Sequence, residues 1–217
     1  MTTQELIIDV GKREPIAGTL TLPAQGVGLV LFAHGSGSSR FSPRNIFVAD
    51  QLNEAGLGTL LLDMLTQSEA REDEYTAQFR FDIDLLASRL LVATRYCDEL
   101  SDLRDLPFGY FGASTGAAAA LIAEVDSPVP IAAIVSRGGR PDLAARVLSR
   151  VRAPTLLIVG GEDDVVIGLN RQAFAMLTAQ KELEIVPGAT HLFEEPGTLE
   201  RVAELSRDWF IRHMTQR

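Results

Sequence analysis

Cysteine is almost absent from this chain of 217 residues, in which Cys97 is the only one. A single cysteine cannot form an intrachain disulfide, so a disulfide-stapled scaffold is excluded, and nothing points to an oxidising compartment. Cys97 falls on the apolar stripe of a helix that we predict from Phe81 to Leu100. We therefore interpret it as a buried packing residue rather than a reactive thiol.

Basic charge and long apolar runs are also scarce. Lys and Arg number 20 against 29 Asp and Glu, which gives a formal net charge of −9. This balance repels phosphate backbones and anionic lipids, so we expect neither nucleic acid nor a membrane as partner. No stretch reaches the ~18 apolar residues of a membrane span, and residues 1–10 lack the basic start and long apolar core of a signal peptide. We expect a cytoplasmic protein.

What is present is typical of one globular domain. The chain is 46% apolar and 23% charged, without repeats or linkers, so we predict a single domain over residues 1–217. We expect a small-molecule substrate and a monomer or homodimer, between which the sequence does not choose.

Apolar runs of strand length alternate with segments of helix length, which predicts an α/β fold with a mostly parallel sheet covered on both faces. The first two of eight predicted strands alternate in character and form an edge hairpin that turns around Gly11 to Pro15. A last helix spans about Leu199 to His213. We interpret the polar, acidic stretch from Met64 to Gln78 as a solvated connection, with a lid as the alternative. The predicted strands lie at about residues 4–10, 16–22, 27–33, 58–62, 107–111, 131–135, 154–159 and 182–186.

A Gly-x-Ser-x-Gly motif lies between the fifth strand and a helix-forming run. It spans Gly112 to Gly116 and centres on Ser114. A strand that turns abruptly into a helix strains the residue at the turn, and neighbours without side chains make that turn possible. The serine hydroxyl then projects at a helix N-terminus, which favours developing negative charge. The motif predicts Ser114 as a nucleophile, with a small-residue packing turn as the alternative.

A serine nucleophile needs a base, normally a histidine, and the chain has three. His191 follows the last strand and therefore lies at the carboxyl edge of the sheet, on the same side as Ser114. We predict that His191 is the base. His34 directly follows the third strand, and we expect it to brace the loop that begins there. His213 lies in the last turn of the final helix, where a catalytic role is not expected.

The imidazole needs a carboxylate that fixes its tautomer, and three acids follow the seventh strand at the same edge. They are Glu162, Asp163 and Asp164, directly after Gly160 and Gly161. The order serine, acid, histidine is that of the α/β-hydrolase triad. We favour Asp163 and keep the other two as alternatives. Asp63, after the fourth strand, is a further candidate on position alone, although such a residue more often braces a loop.

Acyl transfer also requires amides that face the tetrahedral oxygen. The backbone amide of Thr115, next to the nucleophile, is one predicted donor, and that of Ser36, in the Gly/Ser-rich loop after the third strand, is the other. This loop lacks the spacing and the lysine of a phosphate-binding Walker motif. Arginines follow two strand ends. We expect salt bridges to surface acids from most of these arginines, and as the alternative one or two of them bind an anionic substrate group. The candidates for that role are Arg40 and Arg137, with the nearby Arg44 and Arg140.

Taken together, the segments His34–Arg40, Gly112–Gly116 and Gly160–Val166 and the residue His191 resemble the dienelactone-hydrolase-like branch of the α/β-hydrolases. The resemblance covers nearly the whole chain. It implies an eight-stranded, mostly parallel sheet without a cap domain. Family members resemble Gly-x-Asp-x-x-Val, which Gly161 to Val166 match, and this favours Asp163 over Asp164. Dienelactone hydrolases proper use a cysteine nucleophile, whereas this chain has Ser114.

The resemblance also implies hydrolysis of esters or lactones through an acyl-enzyme, without cofactor or metal. We expect this activity from Ser114, Asp163 and His191. Other ester classes, thioesters or phosphotriesters, are alternative substrates. A binding protein that keeps the fold without chemistry is the alternative of a different class.

Overall fold

A computed structural model describes residues 1–11 and 14–215 of the chain. The described residues form eight strands and six helices, with two short 3₁₀ helices, Pro141–Ala144 and Leu148–Arg150. The strands are β1 Thr2–Ile8, β2 Ile16–Leu22, β3 Leu29–Ala33, β4 Gly58–Leu62, β5 Phe108–Ala113, β6 Ile131–Arg137, β7 Thr155–Gly160 and β8 Lys181–Val186. The helices are α1 Pro43–Glu54, α2 Gln67–Thr76, α3 Ile83–Glu99, α4 Thr115–Asp126, α5 Asp164–Met176 and α6 Thr198–Met214.

The strands form one sheet in the order β1-β2-β4-β3-β5-β6-β7-β8. Among the described strands β2 alone runs against the others, since it pairs antiparallel with both β1 and β4. The predicted edge hairpin and the mostly parallel sheet are confirmed. The predicted turn from Gly11 to Pro15 includes residues 12 and 13, which lie outside the described residues.

Helices cover both faces of the sheet because its central strands are apolar on both sides. One core cluster packs α3 and α4 against the sheet, through residues such as Leu86, Leu90 and Leu121. The other packs α1 and α6 against the opposite face, where Trp209 is buried. Cys97 is fully buried, as expected, and burial raises the pKa of its thiol to about 12.

The stretch from Met64 to Gln78 is exposed over most of its length, as predicted, but it is not an irregular connection, because most of it is helix α2. Thr66 and Glu69 form a capping box at its start. Glu69 also accepts a hydrogen bond of 2.7 Å from the buried Arg89 on α3. Buried Asp73 accepts hydrogen bonds from the Arg80 side chain and from two backbone amides. These tertiary partners lie outside the stretch itself, so its local composition gave no sign of them.

The parallel strands present their carboxyl ends at one edge, where the loops after β3, β5, β6, β7 and β8 meet. The described residues form no separate cap domain over this edge. None of the described helices combines the length and apolarity needed to cross a bilayer.

Candidate active site

Ser114 occupies a sharp turn between β5 and α4, with φ 50° and ψ −120°. This backbone conformation is strained for a residue with a side chain, and such strain clusters at functional sites. Both motif glycines are needed for the turn. A Cβ on Gly112 would lie 2.4 Å from Ala117 Cα, and one on Gly116 would lie 2.1 Å from Ala33 O.

The loop after β3 packs directly against this turn. A Cβ on Gly35 would lie 3.0 Å from Ser114 Cβ. Ser36, predicted as an oxyanion donor, follows Gly35 in a turn closed by a hydrogen bond from Ser38 N to Gly35 O. Thr115, the other predicted donor, is the first residue of α4, where an amide has no acceptor within the helix. Both residues therefore lie beside Ser114, although their role as donors stays a prediction.

His191 and Asp163 are hydrogen-bonded, with 2.6 Å between His191 Nδ1 and Asp163 Oδ2. A carboxylate accepts only, so Nδ1 carries the proton, and in the neutral ring Nε2 is then an acceptor. Asp163 is the N-cap residue of α5, yet its side chain makes no capping hydrogen bond. It is thus free to orient the imidazole. Neither Glu162 nor Asp164 bonds to His191 among the described residues.

The turn after β7 and the loop after β8 approach closely enough to allow this contact. A Cβ on Gly160 would lie 2.4 Å from Ala189 O, so glycine is required there. Glu195 accepts hydrogen bonds from Thr190 Oγ1 at 2.7 Å and from Thr190 N at 3.0 Å, which fix the residue before His191. The Thr190 hydroxyl and amide lower the pKa of Glu195. Sequence reasoning missed Glu195, and no motif marks it.

Ser114 and His191 line one cleft of about 240 Å³. Ser36, Ser38, Arg44 and Arg137 also line it. No hydrogen bond joins the Ser114 hydroxyl to His191 among the described residues; in ligand-free sites such bonds are often long and tighten when substrate binds. A second cavity of about 170 Å³ shares Gly35, Ser36 and Ser38 with this cleft and extends beneath α2.

Arg137 ends β6 within the cleft and is only 7% exposed. Its Nε and Nη1 atoms are buried and have no hydrogen-bond partner. Burial lowers the pKa of Arg137 to about 10, with a smaller contribution from the charge of Arg44, so the guanidinium is still charged at neutral pH. The ring of Phe193 lies 6.0 Å from the guanidinium carbon.

The structure does not bring Arg40, the other predicted anion-binding arginine, into this cleft. Its guanidinium forms ion pairs with Asp63 and, at 3.2 Å, with Glu5. Asp63 also accepts a hydrogen bond of 3.0 Å from Arg40 N. Arg40 therefore makes the salt bridges to acids that the sequence analysis expects, and these acids neutralise its charge. Asp63 braces this loop. Arg140 pairs with Asp142 instead of entering the cleft.

His34 is a buried bridge between the loops after β3 and β4. Its Nδ1 lies 2.8 Å from Gly35 O, so Nδ1 donates, and its Nε2 accepts from Met64 N at 3.1 Å. This arrangement requires the neutral ring. Burial lowers the pKa of His34, against opposing contributions from Gly35 O and Asp63. No group of three or more metal-ligating side chains occurs within residues 1–11 and 14–215.

Comparison with known proteins gives three findings besides the absence of any matching family model. The chain is 52% identical to a structure named a dienelactone hydrolase, from Anabaena variabilis, with a TM-score of 0.94 and coverage of 98% of this chain and 99% of that one. It is similar in fold to an α/β serine hydrolase without a lid from Xanthomonas campestris, at 18% identity, a TM-score of 0.76 and coverage of 97% and 94%.

The third finding concerns proteins of two Mycobacterium tuberculosis strains that are provisionally named phosphoribosyl transferases. They are 57% identical to this chain over 200 residues, which is 92% of this chain. The match spans 44% of their own length.

The sheet order, the strained serine turn and the loops at the carboxyl edge define an α/β-hydrolase fold. At 52% identity over almost the full length of both chains, the chain belongs to the dienelactone hydrolase family.

Proposed function

We propose that this chain is a serine hydrolase that cleaves small carboxylic esters or lactones through an acyl-enzyme. The observation that carries the proposal is the 2.6 Å hydrogen bond between His191 Nδ1 and Asp163 Oδ2, on the rim of the cleft that Ser114 lines. This bond fixes the tautomer in which Nε2 can accept a proton.

In the first half of the reaction, Ser114 Oγ attacks the carbonyl carbon while its proton passes to His191 Nε2. Asp163 stabilises the imidazolium that forms. The amides of Thr115 and Ser36 hold the tetrahedral oxyanion, and each such donor is worth roughly 3 to 4 kcal/mol. The intermediate collapses, the bond to the leaving oxygen breaks, and His191 returns the proton to that oxygen.

In the second half, water replaces the alcohol. His191 Nε2 removes a proton from the water as its oxygen attacks the acyl carbon. Collapse of the second intermediate releases the carboxylic acid and restores the Ser114 hydroxyl with the proton held by His191. Every proton removed is returned and no atom changes oxidation state, so the cycle balances with water as the only co-reactant.

The names of the Mycobacterium tuberculosis relatives suggest a different activity, transfer of a phosphoribosyl group. The match covers 92% of this chain, and 200 of its 217 residues take in the positions that Ser114, Asp163 and His191 hold here. These residues support acyl transfer, so we keep ester hydrolysis as the proposal for this chain. Thioesters and phosphotriesters remain substrates to be screened, because the same nucleophile and base serve them.

The test is turnover of a panel of p-nitrophenyl esters and a thioester by the wild type and by Ser114→Ala. We expect loss of about 10⁴-fold or more in kcat for the variant, as is usual for removal of a serine nucleophile. Ser136→Ala is the matched control, since Ser136 lies nearby on β6 with its hydroxyl buried. Unchanged turnover by Ser114→Ala would place the nucleophile elsewhere, and a wild type inactive on the whole panel would favour a binding protein.

A further inference from the structure

The backbone of Ser114 is held on both sides by the turn that follows β6, residues Arg137–Arg140, called here the β6 turn. Ser114 N donates a hydrogen bond of 3.3 Å to Arg137 O, and Ser114 O accepts one of 3.0 Å from Arg140 N, besides one of 3.1 Å from Ala117 N in α4. Ser114 has φ 50° and ψ −120°, and a strained backbone of this kind persists only where the surrounding structure fixes it. The hydrogen bonds from the β6 turn are part of what fixes it.

Each of the two peptide groups of the β6 turn that bind Ser114 has an anchor on its other polar atom. In the first, Gly138 N donates a hydrogen bond of 2.8 Å to Ile158 O on β7. In the second, whose N–H is that of Arg140, Gly139 O accepts a hydrogen bond of 3.0 Å from Asn170 Nδ2. The first anchor is backbone, which any sequence supplies, whereas the second is a side chain. A substitution at Asn170 therefore removes one of the two anchors and leaves the other.

Asn170 is a polar residue at a position of α5 where an apolar one is expected. It is fully buried, in a helix whose other buried residues are Val166, Ile167 and Ala173. Burial of an amide costs free energy unless its atoms are hydrogen-bonded, and asparagine is a weak helix former. Asn170 Nδ2 donates to Gly139 O and, at 2.9 Å, to Val166 O, while its Oδ1 has no partner among the described residues. Packing alone does not explain an amide here, and the contact with Gly139 O does.

The β6 turn also contacts His191. A Cβ on Gly138 would lie 3.1 Å from His191 O and 3.6 Å from His191 Cε1, so the backbone of the turn lies against the imidazole. Asn170 itself belongs to α5, the helix that begins directly after Asp163. One buried side chain thus connects the helix next to Asp163 with a turn that touches both Ser114 and His191.

We propose that Asn170 is a positioning residue for the reaction. Through Gly139 O it orients the peptide group that binds Ser114 O, and it thereby keeps the Ser114 turn in the conformation from which Oγ attacks. This inference rests on the proposed hydrolase function and deepens it. Hydrogen bonds in a chain polarise one another, so loss of the bond to Gly139 O weakens the bond to Ser114 O. Asn170 does not line the cleft, so we expect its effect on kcat and not on KM.

The test uses Asn170→Leu and Asn170→Ser, with kcat and KM for a p-nitrophenyl ester and the rate at which a fluorophosphonate labels Ser114. Leucine has a similar shape and removes both hydrogen bonds. Serine can still donate to Val166 O, as serines in helices do, but is too short to reach Gly139 O. We expect both variants to lose about 10- to 100-fold in kcat and in labelling rate, with KM within about threefold of the wild type. Expressing kcat per Ser114 labelled at saturation leaves unfolded molecules out of the comparison.

Asn53→Leu is the matched control, since Asn53 is a buried asparagine near the end of α1 whose Oδ1 accepts a hydrogen bond of 3.1 Å from Thr59 Oγ1. It should lower the urea midpoint of unfolding, as Asn170→Leu does, while its kcat changes less than about threefold.

Three results would overturn the positioning role of Asn170. They are a wild-type kcat in Asn170→Ser, a loss of kcat in Asn53→Leu equal to that in Asn170→Leu, and a rise in KM at unchanged kcat. Failure of the hydrolase proposal differs from all three, since Ser114→Ala would then turn over the ester like the wild type.

Discussion

Two acids at the same edge of the sheet bind two different partners. Asp63 follows β4 and pairs with Arg40, whereas Asp163 follows β7 and pairs with His191. Arginine stays charged at any ordinary pH, so the Asp63 pair can only hold the chain in place. Histidine exchanges a proton near neutral pH, so the Asp163 pair can take part in a reaction. Both acids follow a strand end, so position does not distinguish their roles. The residue with which each acid pairs distinguishes them.

The largest effect expected from this comparison is that of Asp163→Asn on catalysis. An asparagine no longer stabilises the imidazolium and favours the wrong tautomer, so we expect kcat for a p-nitrophenyl ester to fall about 10⁴-fold. The loss should leave KM nearly unchanged. Steady-state kinetics measures kcat and KM, and urea unfolding of the same sample checks that the variant is folded.

Asp164→Asn is the matched variant for this prediction, since it makes the same chemical change one residue later. Its kcat should stay within about threefold of the wild type, because Asp163 makes the hydrogen bond to His191. An equal loss in the two variants contradicts the assignment of Asp163.

The next largest effect is that of Asp63→Asn, with the opposite pattern. The Arg40 guanidinium and amide lose a charged acceptor in a half-buried position, so we expect the free energy of unfolding to fall by about 1 to 2 kcal/mol. We expect kcat to change less than about threefold. Denaturant unfolding and ester turnover measure the two effects, and a large loss of kcat with intact stability would remove the distinction between the two acids.

The smallest effect concerns His34, which lies beside the Asp63 pair. Its folded-state pKa is lowered, chiefly by burial, so the unfolded chain binds the proton first as pH falls. The stability that His34 contributes is present above its unfolded pKa of about 6.5 and decreases as pH falls below that value. The free energy of unfolding between pH 7 and 5 should thus fall less steeply in His34→Gln than in the wild type. Equal slopes would contradict a neutral, buried His34.

Local patterns predicted the sheet and the serine turn. Apolar runs of strand length and the glycines of a sharp turn are both features of neighbouring residues in the sequence. Gly112 and Gly116 flank the serine, and both are needed for close packing that the sequence pattern already indicates. The carboxyl-edge rule then predicted that His191 and Asp163 lie on one side. Their 2.6 Å contact agrees with that rule, although their catalytic role stays a prediction.

The sequence did not predict which residues pair over long distances along the chain. Arg40 and Arg137 follow strand ends in the same way, yet Arg40 meets Glu5 and Asp63, 35 and 23 residues away along the chain. Arg137 meets no acid among the described residues. For the same reason the helix around Asp73 was not predicted, since the arginines that pair with Asp73 and Glu69 follow the end of the stretch or belong to another helix.

Covalent labelling of the wild type with a fluorophosphonate, followed by peptide mass mapping, tests the central claim most directly. The probe phosphonylates a serine only where a base has activated it. We predict a single adduct on the peptide that contains Ser114, absent from Ser114→Ala and formed much more slowly in Asp163→Asn. An adduct on another residue, or equal labelling of Ser114→Ala, would contradict a serine nucleophile activated by His191 and Asp163.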